Sequence, residues 1–217
     1  MRTGPFLTAV EWVDDWPVVR ENRYDVSPQS NSFEDRFSSS SLHPRWIAPG
    51  VDPKSFAHLS DSGLVLDAGR EANGVEAVHL LGVRASSDEW MASVDAVGDV
   101  SLVVRIDNAH WAGVQRVGAS LEARVVIGAM DKVLAIEVIP EDALPAIRTM
   151  IPESQHGEST GPDTVELGYL RDGFRRLAMV DGRYISTEVA GGFTGRVIGL
   201  EAIGARATVR SFSYADS

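Results

Sequence analysis

Residues able to run hydrolytic or metal chemistry are present in this chain, but not in the patterns that such chemistry needs. Cleavage of a glycosidic bond requires two carboxylates, roughly 5–5.5 Å apart for retention or 6.5–9.5 Å for inversion. A Glu-x-Asp-x-Glu run on one strand would place them on a single face, because strand side chains alternate. No such run occurs. Asp14-Asp15, Glu34-Asp35 and Asp88-Glu89 are adjacent pairs that face opposite ways, and Glu137 stands alone in the run VLAIEVI, where alternation turns it outward. None of the five histidines (His43, His58, His79, His110 and His156) is paired at i,i+2 or i,i+4 with another histidine or with a suitable carboxylate motif, and cysteine is absent, so a zinc site is unsupported. A Gly-x-Ser-x-Gly elbow, a P-loop and a dinucleotide fingerprint are also missing. No catalytic residue and no metal ligand is assigned, although a carboxylate pair dispersed along the chain stays open as an alternative.

Aromatic residues offer a different chemistry. A flat ring stacks on the apolar face of a pyranose while polar neighbours bond its hydroxyls. Trp46 and Trp90 lie among apolar residues and read as core. Trp111 follows Asp107-Asn108-Ala109-His110, a turn, and is a candidate exposed platform; Tyr184 is a further candidate. Phe193 is poorly placed for a core, since Gly191, Gly192, Thr194 and Gly195 surround it in a loop that calls for positive φ. That loop is not read as a phosphate cradle, because Val197–Leu200 reads as strand rather than as the start of a helix.

The elements that must carry these residues are short strands. From residue 63 the chain is a ladder of apolar runs: Leu64–Leu66, Val75–Val83, Trp90–Val97, Val100–Ile106, Leu121–Met130 and Val133–Ile139, then Val165–Leu170, Arg176–Val180, Tyr184–Val189, Val197–Ile203 and Ala207–Tyr214. Asp172-Gly173 and Asp181-Gly182 read as hairpin turns. Helix is scarce, with one or two turns expected in Glu141–Ile151; residues 152–163 read as an exposed loop. Regularly spaced short strands predict an all-β fold, a sandwich or barrel, and one large β-sandwich of two antiparallel sheets fits the length of 217 residues. Residues 1–31 read as a leading segment and linker, and 32–217 as the sandwich. The net charge of −11, without a basic stripe, argues against nucleic acid, and no apolar window is long enough for a membrane span. No apolar run follows Arg2, so a signal peptide is not expected and the expected location is cytoplasmic.

Three segments carry a family resemblance. Phe6–Val19 (FLTAVEWVDDWPVV) resembles the closing segment of the five-bladed propeller of glycoside hydrolase family 43 β-xylosidases and arabinofuranosidases. Asp181–Leu200 (DGRYISTEVAGGFTGRVIGL) is similar to a late hairpin and loop of those enzymes' C-terminal concanavalin-A-like, jelly-roll domain. Ser32–Phe37 with Leu42–Trp46 resembles that domain's opening strand and turn. The resemblance implies an accessory sandwich with no catalysis of its own. Such a domain packs on a propeller that holds the catalytic carboxylates, and a loop aromatic, here Phe193, reaches the rim of a xylose or arabinose pocket. No propeller is expected within these 217 residues, as either a lone module or a fragment of a longer protein would show. The implied partners are a propeller in trans, a second copy of the chain, or a xylo- or arabino-oligosaccharide. The alternative is a stand-alone carbohydrate-binding module or lectin. No cofactor is expected; a structural calcium, common in related sandwiches, has no motif here and no residue is assigned to it.

Overall fold

The computed structural model describes residues 9–20, 31–69, 71–72, 75–76, 78–152, 163–192 and 194–216. The chain divides into two compact units, Met1–Ser30 and Asn31–Ser217. In the first, β1 (Ala9–Val13) and β2 (Trp16–Arg20) form an antiparallel hairpin with Val13 opposite Trp16. A two-residue turn matched to strand twist needs positive φ at both central positions, and Asp14 and Asp15 have φ of 49° and 62°. These adjacent acids are therefore turn residues. Trp12 and Trp16 sit on successive residue pairs, hence on opposite faces of the ribbon, and both are exposed.

The second unit is a sandwich of two antiparallel sheets. One runs in the order β13 (Met130–Val138), β12 (Ser120–Ile127), β11 (His110–Val117), β10 (Val100–Asp107), β17 (Val197–Ala202), β8 (Leu81–Arg84). The other runs β16 (Phe174–Asp181), β15 (Thr164–Leu170), β14 (Leu144–Met150), β9 (Trp90–Val97), β18 (Arg206–Asp216), β5 (Gly63–Asp67), β4 (Ala57–Ser60), with β3 (Phe33–Asp35) pairing on β18 beyond β5. A small ribbon joins β6 (Glu71–Ala72) to β7 (Val75–Glu76).

Alternation explains the core. Leu102 and Val104 of β10, Ala112 and Val114 of β11, and Ile198 and Leu200 of β17 point to one side of their sheet. They share one buried cluster with Val94, Ile147, Leu167, Leu64, Leu66 and Phe212 from the facing sheet. An aromatic group closes one part of it, where Trp46 packs edge-on against Phe212 at 5.1 Å and Trp90 stacks on Tyr214 at 6.1 Å. Trp46 and Trp90 are thus core residues, and the Trp46 indole N–H donates to Asp35 Oδ2 at 2.8 Å, as a buried indole must.

The expected all-β sandwich is what forms, with four local differences. Glu141–Ile151 holds no helix but strand β14. Pro145 is tolerated there because pairing with β9 begins only at Ala146, so its missing N–H falls outside that ladder. Asp181-Gly182 is not a hairpin turn and Tyr184–Val189 is not a strand. Gly182–Ile185 forms a 3₁₀ turn capped by the Asp181 carboxylate on Arg183 N–H, followed by α1 (Thr187–Ala190). Trp111 lies in strand β11 rather than in the turn before it, and it is half-buried against an apolar cluster rather than exposed. Glu137 is exposed, but its partner Leu121 is buried, so it stands on the core side at the sheet edge and accepts from Tyr169 Oη at 3.1 Å. The Asp172-Gly173 turn forms as read, with φ of 52° and 123°. Most of the loop expected at 152–163 lies outside the described residues.

Candidate functional site

The loop that carries the sequence candidates starts from a rigid base. α1 ends at Gly191, whose φ of 76° and N–H to Thr187 O at 2.9 Å make a left-handed cap that a side chain would strain. Gly191, Thr194 and Gly195 are exposed and Gly192 is half-buried, and a Cβ added at Gly195 would meet nothing within 4 Å. Phe193 lies outside the described residues. The far end of the loop is anchored by Arg196, which donates to Ile185 O and Gly182 O, both at 2.7 Å, and is ion-paired to Asp163. Tyr184, on the 3₁₀ turn, is 48% exposed.

Trp111 belongs to the same end of the six-stranded sheet. It pairs across to Arg105, which pairs on its other side with Val197, two residues past Gly195. Trp111, Arg105 and Val197 thus form one row on the sheet's outer face. Leu80, Val103 and Val197 make a small apolar cluster there, with Trp111, Val78 and Ile47 packed on it. In the neighbouring row, Gly199 packs against Leu80, whose side chain would have to move if a Cβ were added, 2.5 Å from Cδ1.

Beside this cluster is a groove of about 390 Å³ bordered by Trp111, Arg105, Asn108, Glu201, Val103 and His79 among others. Arg105 is 6% exposed. Burial pulls its guanidinium below the ordinary value, while Glu201 and Asp107 pull the other way. Its Nη2 donates to Asn108 Oδ1, and its Nη1 stands 3.8 Å from Glu201 Oε1, longer than a direct charge-assisted hydrogen bond. His79 stacks on Phe56 at 4.7 Å and its Nδ1 meets Asp67 O at 3.1 Å, so it is a packed, hydrogen-bonded residue. His110 likewise bonds Asp107 Oδ1 through Nδ1 at 2.9 Å. Arg105 and Glu201 were not singled out from sequence; the available signal was a lone charge within each of the apolar runs Val100–Ile106 and Val197–Ile203.

The opposite face of the molecule carries a second polar cluster. Glu166, on the outer side of β15, is buried between Arg148 Nε and Arg176 Nη1, each at 2.6 Å. Burial pushes its carboxyl up, and the two guanidiniums outweigh that and hold it below the ordinary carboxylate range. A general acid needs the reverse, a value raised toward neutrality. Among the described residues, Asp107, Asp131, Asp181 and Glu188 also move down, and no group of three or more metal-ligating side chains occurs. No helix among them is long and apolar enough to cross a membrane.

Comparison with known proteins places this architecture. Residues 34–216 match the family model for the β-xylosidase C-terminal concanavalin A-like domain. Bacteroides ovatus xyloglucan PUL GH43B superposes with a TM-score of 0.67 at 20% identity, over 96% of this chain and 46% of that one. A xylan β-1,4-xylosidase from Bacillus halodurans C-125 gives 0.66 at 16%, over 95% and 46%. A family 43 glycoside hydrolase engineered for both endo-xylanase and exo-arabinofuranosidase activity gives 0.63 at 14%, over 96% and 48%. The chain therefore spans about half the length of these solved structures, and at such identities the likeness is one of fold. No curated protein matches it. The chain belongs to the family of β-xylosidase C-terminal concanavalin A-like domains of the family 43 glycoside hydrolases.

Proposed function

We propose that this chain is the non-catalytic accessory module of a xylan- or arabinan-degrading glycoside hydrolase, which packs on a catalytic propeller and shapes its sugar pocket. The observation that carries the reading is the match of residues 34–216 to the C-terminal domain family, in a chain about half as long as the family 43 enzymes it superposes on. The leading segment Phe6–Val19, by its resemblance to the end of a propeller, is the piece that joins the two domains. The loop around Phe193, with Gly191, Gly192, Thr194 and Gly195, is the piece that reaches the sugar. Self-association through the same docking face is the outcome when no propeller is present.

The test is an assay of the purified chain on nitrophenyl xyloside and nitrophenyl arabinofuranoside. No turnover above buffer is expected. Saturable turnover would overturn the reading and direct attention to a dispersed carboxylate pair.

A further inference from the structure

We propose that the groove on the outer face of the six-stranded sheet is a binding site for a short neutral saccharide, with Trp111 as stacking platform and Arg105, Asn108 and Glu201 as hydroxyl partners. This goes beyond docking, because the site lies wholly within the sandwich. Only the choice of pentose probes rests on the function proposed above.

Size, chemistry and rigidity each support it. The volume of about 390 Å³ lies within the roughly 300–1,000 Å³ of small-molecule sites. The border combines an indole and the apolar side chains Val78 and Val103 with a guanidinium, a carboxylate and a carboxamide. A pyranose or furanose has the matching surface, an apolar face for the ring and hydroxyls that both donate and accept. The guanidinium has five N–H donors. Asn108 takes one, Glu201 Oε1 stands 3.8 Å from Nη1, and all three residues border the groove, where a sugar hydroxyl can approach them. An anionic ligand is disfavoured by Glu201 and by the chain's net charge of −11, and a cation by the buried Arg105. An acyl chain would strip water from all three polar groups without replacing their hydrogen bonds.

The site is also built rather than incidental. β10 is held between β11 and β17, so Arg105 leaves a central strand and its backbone cannot drift. Trp111 is its cross-strand partner, which keeps ring and guanidinium adjacent on one face.

The experiment is a titration of the full chain with xylotetraose, arabinotriose and cellotetraose, followed by calorimetry and by amide shift mapping. Binding is expected with shifts centred on residues 103–111 and 199–204. Trp111→Ala should weaken it about tenfold or more. Trp111→Phe keeps an apolar ring in the same place and should retain partial affinity, which covers the case in which the alanine variant fails to fold. Binding of cellotetraose but not of the pentose probes would support the site and count against the xylan or arabinan assignment. No binding of any probe up to about 10 mM would overturn the proposal. So would shifts confined to residues 184–195, or an affinity unchanged in Trp111→Ala.

Discussion

Glu166→Gln tests how the outer face of the eight-stranded sheet is held together. The Glu166 side chain is 7% exposed, whereas its partners Arg148 and Arg176 are 34% and 53% exposed. A hydrogen bond to a charged group contributes about 1.5–3 kcal/mol, and breaking a fully buried ion pair costs about 3–5 kcal/mol. Both guanidiniums reach water here, so screening reduces these figures. The glutamine amide also keeps the shape and still accepts from one arginine. A net loss of about 1–3 kcal/mol follows. For a domain of this size a loss near 2 kcal/mol lowers the melting midpoint by about 4–8 °C. Thermal unfolding by circular dichroism at pH 7, then stepwise to pH 3, reads it out. Burial pushes the Glu166 carboxyl up and the two arginines pull it further down, so the folded value lies below the unfolded one. The stabilisation is therefore complete above the unfolded value, about 4.3, and is lost as pH falls through the folded value. The gap between wild type and variant should persist at pH 5 and narrow progressively as pH falls below the unfolded value of about 4.3. Equal midpoints at pH 7, or a gap undiminished at pH 3, would refute the reasoning.

Three further substitutions probe other parts of the account. Gly168→Ala should cost about 2 kcal/mol or more, because the new Cβ would lie 1.9 Å from the Arg175 carbonyl oxygen, a backbone atom that only a strand shift can move; an unchanged denaturation midpoint would contradict that close approach. Asp163→Asn should cost about 1.5–3 kcal/mol by weakening the Arg196 anchor, with amide exchange accelerating across residues 182–192; uniform exchange would mean that the loop base is held elsewhere. Ile136→Lys, on the exposed edge strand β13, should change stability by less than about 0.5 kcal/mol. A midpoint drop of more than about 5 °C would show that this edge packs against something.

The sandwich was legible because its core strands alternate cleanly or run continuously apolar, as Val100–Ile106 and Val197–Ile203 do. Strand β11 was missed because its core-facing residues are small, Ala112 and Val114, and Gly113 and Gln115 on the other side give no hydrophobic contrast. Strand β14 was mistaken for helix because Glu141-Asp142 imitates a helix start, and nothing local reveals that β9 and β15 supply its hydrogen bonds. The pairing of Arg105 with Glu201 depends on β10 and β17 being neighbours, a long-range fact that alternation does not encode. Likewise, in the run Val165–Leu170 alternation turns Glu166 to the outer face, where it is buried only because arginines from the two adjacent strands fold over it.

The most direct test of the accessory role is to mix this chain with a separately expressed family 43 propeller and measure complex formation by sedimentation, with kcat/KM on nitrophenyl xyloside. The account predicts a one-to-one complex that is more active than the propeller alone and that loses this gain in Phe193→Ala while the variant keeps its fold. No complex, together with propeller activity unchanged by the chain, would contradict it.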